Sequence, residues 1–229
     1  MELNRINVYY AEIHPIWDVS RYLERHLSHD EVERANRYRC DRNRFRYIIG
    51  RGILRSILGK HLERSPSEIV FRYGDFGKPF IAGEQGSGLR FNISHSDVLL
   101  AVAISTTCDV GIDIEPIANR SDYCNLVSHF FCPEEIHAFQ QLPTQKRSLA
   151  FLNAWTRKEA YLKAVGIGLH KDLNQVCVSL SPEAPAQFLD RRIGHEWSLL
   201  ALTPPMDHVG ALVGRGEIGT VNTIVLDVP

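Results

Sequence analysis

Several features are missing from this chain of 229 residues, and each absence narrows the function. No apolar run approaches the length of a membrane span, and Met-Glu-Leu-Asn-Arg at the start has no signal-peptide layout. Charge of one sign is not in excess: the net charge is −1, with 44% hydrophobic and 23% charged residues, as in a soluble globular protein of one large or two small domains. The five cysteines lack paired spacing, which argues against a disulfide framework or a zinc site and points to reduced thiols and a cytoplasmic location. There is no low-complexity tract and no repeat of short period. A Gly-x-Ser-x-Gly elbow, a Walker glycine loop and the kinase signature set are all absent, so serine-hydrolase and ATP-loop chemistry are disfavoured.

What is present gathers around Trp155-Thr-Arg-Lys-Glu-Ala-Tyr-Leu-Lys163. The spacing predicts a helix from about Ser148 to Val165, stopped by Gly166-Ile-Gly168. Leu152, Trp155, Glu159, Leu162 and Lys163 share one sector of it. Leucines and tryptophan there are ordinary core residues, whereas a carboxylate and an amine facing inward are costly unless paired. An i,i+4 pair on a solvated edge is the plain alternative.

A second acidic group lies upstream. Val110-Gly-Ile-Asp113-Ile-Glu115 alternates strictly, placing Val110, Ile112 and Ile114 on one strand face and Asp113 and Glu115 on the other. Two like charges so placed repel unless a cation or donors lie between them, and a hard divalent ion such as Mg2+ answers that need. The plain alternative is an exposed edge strand with an acidic face. Between Arg34 and Arg55 stand eight arginines interleaved with helically spaced apolar residues. They form either a solvated face paired with Glu31, Glu33 and Asp41 or a site for a small polyanion, since guanidinium forks match phosphate oxygens. Nucleic acid fits less well, because the basic patch is confined and aromatics are sparse within it.

Ser28 with Glu31 forms a capping-box start for a helix, and Arg5–Ile13 and Val98–Ser105 are expected strands. Glu68–Tyr73 is a further expected strand, leading into the turn Gly74-Asp-Phe-Gly77-Lys-Pro79. Leu89–Ser96 starts as a strand and ends in Asn92, Ser94, His95 and Ser96, small donors that more often cap a turn than build a site. Residues 118–122 are expected as a polar connector, and Phe130 onward as a helix start with an early proline. Strands expected at 175–180, 196–203, 208–214 and 220–228 complete a second sheet. Arginines, an exposed Gly-Lys-Pro loop and a three-carboxylate magnesium site together suggest a phosphate ester as substrate.

Gly77-Lys-Pro79, Phe91-Asn-Ile-Ser-His-Ser96, Gly111-Ile-Asp-Ile-Glu115 and Trp155–Lys163, in this order, resemble the motif set of the 4′-phosphopantetheinyl transferases, in the longer, two-subdomain Sfp-type branch. The motifs cover about residues 30–170; each is weak alone, and four in order are very specific. The resemblance implies transfer of the phosphopantetheine arm of coenzyme A to a serine of an apo acyl, peptidyl or aryl carrier protein, releasing 3′,5′-ADP. It implies an α+β fold: a pseudo-twofold pair of similar α+β subdomains, 1–108 and 109–229, with the active site in the cleft between them, in a monomer. Asp113, Glu115 and Glu159 would bind Mg2+ and through it the pyrophosphate. Glu159 would also be the base, and Lys163 would stabilise or protonate the departing oxygen. Ser94 and His95 would contact the phosphates, Lys78 and Pro79 would lie along the nucleotide, and Arg46 and Arg34 would bind the 3′-phosphate. The carrier would dock an acidic helix against apolar residues around Phe130–Phe139. Two departures stand out: Glu31 where related enzymes often have a lysine, and Ala160 where a serine is common. A non-catalytic coenzyme A- or carrier-binding module is the alternative function, and fatty-acid, polyketide and nonribosomal-peptide carriers are all open as partners.

Overall fold

A computed structural model describes residues 3–14, 16–83, 88–96, 98–117, 123–167 and 173–228, with the backbone alone at 17, 124 and 125. Two helices of 22 residues dominate it. The first, α3 (Asp41–Leu62), follows α1 (Trp17–Glu24) and α2 (His29–Asn36); the second, α6 (Thr144–Val165), follows α4 (Tyr123–Phe130) and α5 (Pro133–Gln141). The short α7 (Arg191–Glu196) comes later.

The strands explain why the long helices lie far apart. Strands β1 (Asn4–Glu12), β4 (Arg90–Ser96), β5 (Leu99–Ser105) and β9 (Ile218–Leu226) form one sheet in the order β4-β5-β1-β9. Strands β6 (Val110–Pro116), β7 (Trp197–Leu202) and β8 (His208–Arg215) form another in the order β6-β8-β7. The hairpin β2 (Phe71–Tyr73) and β3 (Pro79–Ile81) stands apart. In β1, Ile6, Val8 and Tyr10 pack with Val110, Ile112 and Ile114 of β6, joining the two sheets face to face. The other face of the first sheet packs on Ile49, Ile53, Leu54, Ile57 and Leu58 of α3. The other face of the second sheet, through Ala211 and Val213, packs on Ala160, Leu162 and Ala164 of α6. The layers therefore run α3, sheet, sheet, α6, a mixed α+β arrangement as expected.

Four details differ from the sequence reading. Helix α6 begins at Thr144 after Pro143, four residues before Ser148, and ends at Gly166 (φ 83°), whose N–H donates to Leu162 O at 2.8 Å. Gly168 and residues 118–122 lie outside the described residues. The last strand does not complete the second sheet: β9 pairs in parallel with β1, from Arg5 against Thr220 to Ala11 against Leu226. Gln175–Leu180 supplies only an isolated bridge, Val178 to Phe188. Cys132 and Cys177, expected as reduced thiols, form a disulfide, while Cys40 and Cys108 are free.

Candidate active site

Strand β6 owes its position to a glycine. A Cβ on Gly111 would lie 2.0 Å from Ala160 O and 2.4 Å from Ala164 N, so only glycine lets α6 press against the strand. That contact brings Asp113 and Glu115 beside Glu159 and Lys163, which line one cleft of about 930 Å3. Strand β6 is not an exposed edge, since Asp113 is only 4% exposed. On the side away from β8, β4 closes over it through side chains. Ile112 N donates to Asn92 Oδ1 at 2.9 Å, Ser94 Oγ donates to Asp113 Oδ1 at 2.9 Å, and Ser96 Oγ donates to Glu115 Oε2 at 3.2 Å. The polar strand end is thus a seam between the two sheets, using alternate residues of β4.

The charges are arranged unequally. Lys163 Nζ donates to Asp113 Oδ1 at 2.6 Å and to Ser94 Oγ at 3.1 Å, whereas Asp113 Oδ2 is buried with no hydrogen-bond partner among the described residues. Burial raises the pKa of Asp113, opposed by the Lys163 charge and hydrogen bond and by hydrogen bonds from Ser94 and Ile114 N. Burial, then the Asp113 charge, push Glu159 up to about 7; Lys163 opposes and Glu115 adds a smaller push. An orphaned buried oxygen beside a carboxylate that resists ionisation is what a cation-binding set looks like without its cation. The donors are hard oxygens, which suits Mg2+. The trio is not drawn tight: among the described residues, the one group of His, Cys, Asp or Glu with ligand atoms all within 4.8 Å of one another is Cys132, Glu134 and Cys177, whose thiols are already paired.

The opposite wall is basic and aromatic. Arg34, Tyr38, Arg46, Tyr47 and Arg51 line it, with Gly77, Pro79, Ser94 and His95 along its rim. Arg34 lies over the Tyr47 ring at 5.4 Å. The basic run divides its labour, because Arg51 Nε and Arg55 Nε donate to Glu31 at 2.8 and 2.5 Å. Glu31 is 2% exposed and accepts from Ser28 N, so the residue found where related enzymes often have lysine anchors the helix pair.

Of the expected site residues, Arg34, Arg46, Pro79, Ser94, His95, Asp113, Glu115, Glu159 and Lys163 all line this cleft. Lys78 does not: its amine donates to Ala164 O at 2.7 Å and Val110 O at 3.3 Å. Ser94 lines the cleft with its hydroxyl already committed to Asp113. Phe131 and Phe139, expected at the carrier surface, are core residues at 3% and 4% exposure, and Phe130 packs edge-on against Trp155. Sequence reasoning missed the fully buried pair Lys158 and Glu135, 2.6 Å apart, although Lys158 stands inside the Trp155–Lys163 motif.

Comparison with known proteins decides the lineage. A family description, "4′-phosphopantetheinyl transferase superfamily", matches residues 109–213, and "4′-phosphopantetheinyl transferase, N-terminal" matches residues 14–107. The 4′-phosphopantetheinyl transferase HetI of Nostoc is 41% identical over 191 residues, 83% of this chain and 79% of that protein. The chain belongs to the 4′-phosphopantetheinyl transferase superfamily. Within this superfamily it is of the two-subdomain type, an enzyme that modifies carrier proteins with phosphopantetheine. A phosphopantetheinyl transferase of Thraustochytrium is 30% identical over 73% of this chain and 62% of its own length. The 4′-phosphopantetheinyl transferase of Bacillus subtilis is 27% identical over 74% of this chain and 73% of its own. The superfamily uses coenzyme A as substrate and is generally dependent on a divalent metal.

Proposed function

We propose that the chain transfers the 4′-phosphopantetheine arm of coenzyme A to a carrier-protein serine with Mg2+ held by Asp113, Glu115 and Glu159. The observation that carries this reading is the buried Asp113 Oδ2, unpartnered among the described residues, beside Glu115 and the hard-to-ionise Glu159 in one cleft. The ion would neutralise charge on the pyrophosphate. The chain's own residues do the rest. Glu159, beside the reacting centre, takes the proton of the carrier serine directly or through water as the serine oxygen bonds to phosphorus. The bond from phosphorus to the leaving 3′,5′-ADP oxygen breaks, and Lys163, fixed by Asp113 and Ser94, stabilises or protonates that oxygen. Arg46 and Arg34 hold the 3′-phosphate, His95 a pyrophosphate oxygen, and Pro79 with its loop lies along the nucleotide.

Residues 1–108 then form the nucleotide side and 109–229 the metal and catalytic side, with β9 returning to the first sheet. A single chain encloses the cleft, which supports a monomer acting on an apo acyl or peptidyl carrier. Among the described residues no helix is long and apolar enough to cross a membrane. The pairing of Cys132 with Cys177 removes the reduced-thiol argument for a cytoplasmic location. Intact mass of an apo acyl carrier protein, incubated with this chain, coenzyme A and Mg2+, tests the reading. A gain of one phosphopantetheine, abolished by EDTA, supports it; no gain on several unrelated carriers, with coenzyme A still bound, favours a non-catalytic binding module.

A further inference from the structure

The lysine of the Gly-Lys-Pro turn points away from the cleft that its neighbours line. Gly77 and Pro79 face the cleft, while the Lys78 stem crosses Gly166 and its amine reaches Ala164 O in the last turn of α6 and Val110 O at the start of β6. Carbonyls at a helix C-terminus have no partner within the helix, and a cation there meets the negative end of the dipole. Leu162 O is satisfied by Gly166 N–H, and Ala164 O by Lys78. Gly166 serves this contact twice: its φ of +83° closes the helix, and a Cβ there would come within 3.2 Å of Lys78 Cδ. Burial lowers the pKa of Lys78 to about 8, with the Asp109 charge opposing and Arg90 adding to the fall. An amine so desolvated is held for those carbonyls.

We propose that Lys78 is a positioning residue, a latch that fastens the Gly74–Gly77 turn to the junction of β6 and α6. It sets the spacing between the loop beside Gly77 and Pro79 and the elements that carry Asp113, Glu115, Glu159 and Lys163. In its kinetic consequences the inference rests on the reading of this cleft as the coenzyme A site.

Lys78→Met tests it, because the stem over Gly166 is kept and the amine is lost. The KM for coenzyme A is expected to rise about tenfold and kcat to fall severalfold, with the carrier KM unchanged. The rise should be equal at low and high salt and equal for 3′-dephospho-coenzyme A, since the amine touches no phosphate. In the free protein, hydrogen exchange at the Gly74, Gly77 and Gly166 amides should quicken together. An unchanged coenzyme A KM with only a lower Tm would reduce Lys78 to ordinary packing, and a KM rise that shrinks at high salt would make it a direct phosphate ligand. Either result overturns the latch. A wild-type chain that neither binds coenzyme A nor modifies a carrier sinks the coenzyme reading instead. The exchange arm still decides the latch in that case, because unchanged exchange at either end contradicts it.

Discussion

Helices α3 and α6 are built on one plan and put to different uses. Each has 22 residues, and each is anchored by a glutamate from the capping box of the helix before it, Glu31 for α3 and Glu135 for α6. At the same position in the two helices, Arg55 pairs with Glu31 and Lys158 with Glu135, and all four side chains are nearly or fully buried. One residue further along, the plan diverges: Ser56 in α3, Glu159 in α6. A turn beyond, both helices carry a lysine, Lys60 and Lys163. On the strands beneath, Tyr9 bonds to His61 at 2.8 Å where β6 offers Asp113 to Lys163. Ser56 spends its hydroxyl on Gly52 O and His26. A second cleft, of about 600 Å3, is lined by Tyr9, Ser56 and Lys60, but its carboxylates, Glu63 and Asp227, lie just past the ends of α3 and β9 rather than within a helix and a strand. The shared ion pair therefore belongs to folding, and chemistry depends on what stands beside it.

The sharpest break in this comparison comes from matched substitutions. Glu159→Gln should lower kcat/KM for carrier modification by about 10³-fold or more, while Ser56→Ala at the matching position leaves it within about twofold. Steady-state transfer assays on the two variants decide it; equal effects would erase the distinction.

The ion pairs should behave alike where the catalytic residues do not. Glu31→Gln and Glu135→Gln each leave a buried cation without its partner, at a cost of about 3–5 kcal/mol in urea unfolding. A loss confined to one of them would show that the two helices are not anchored in the same way. Smaller still is the effect of Arg46→Ala on the basic wall: a loss of about 1.5–3 kcal/mol in coenzyme A binding, seen in KM with kcat retained and absent for 3′-dephospho-coenzyme A.

The smallest effect concerns pH. In metal-free protein Glu159 has a pKa of about 7 against an ordinary 4.5, because burial and the Asp113 and Glu115 charges disfavour ionisation. Within that window the folded chain keeps a proton that the unfolded chain has released, so stability falls as pH rises through it. Glu159→Gln should therefore stabilise the EDTA-treated protein by about 1–2 kcal/mol at pH 8 after allowance for partial exposure, and by nothing at pH 4. Ser56→Ala should show no such dependence. Denaturant unfolding at the two pH values reads the difference.

How much of this was visible in the sequence follows the range of the interactions. Helix α6 and strand β6 were legible because periodicity is local: apolar residues recur every three or four positions before Gly166, and Val110, Ile112 and Ile114 alternate with polar neighbours. The order of four motifs then grouped Asp113, Glu115 and Glu159. Pairings between distant residues left no such trace. The pattern of β9 states that it is a strand but not that its neighbour is β1. Lys158 looked like one charge among several, since its partner Glu135 lies on another helix, and the pairing of Cys132 with Cys177 crosses 45 residues. Helix α1 went unforeseen, and the direction of Lys78 was misjudged because its partners are backbone carbonyls, which no side-chain pattern reveals.

Titration of Mn2+, as a spectroscopic stand-in for Mg2+, into the chain with coenzyme A present tests the central claim most directly. The account predicts one ion per wild-type chain, at least tenfold weaker binding in Asp113→Asn, Glu115→Gln and Glu159→Gln, and unchanged binding in Ser56→Ala. Mn2+ bound equally well by wild type and all three carboxylate variants would contradict it.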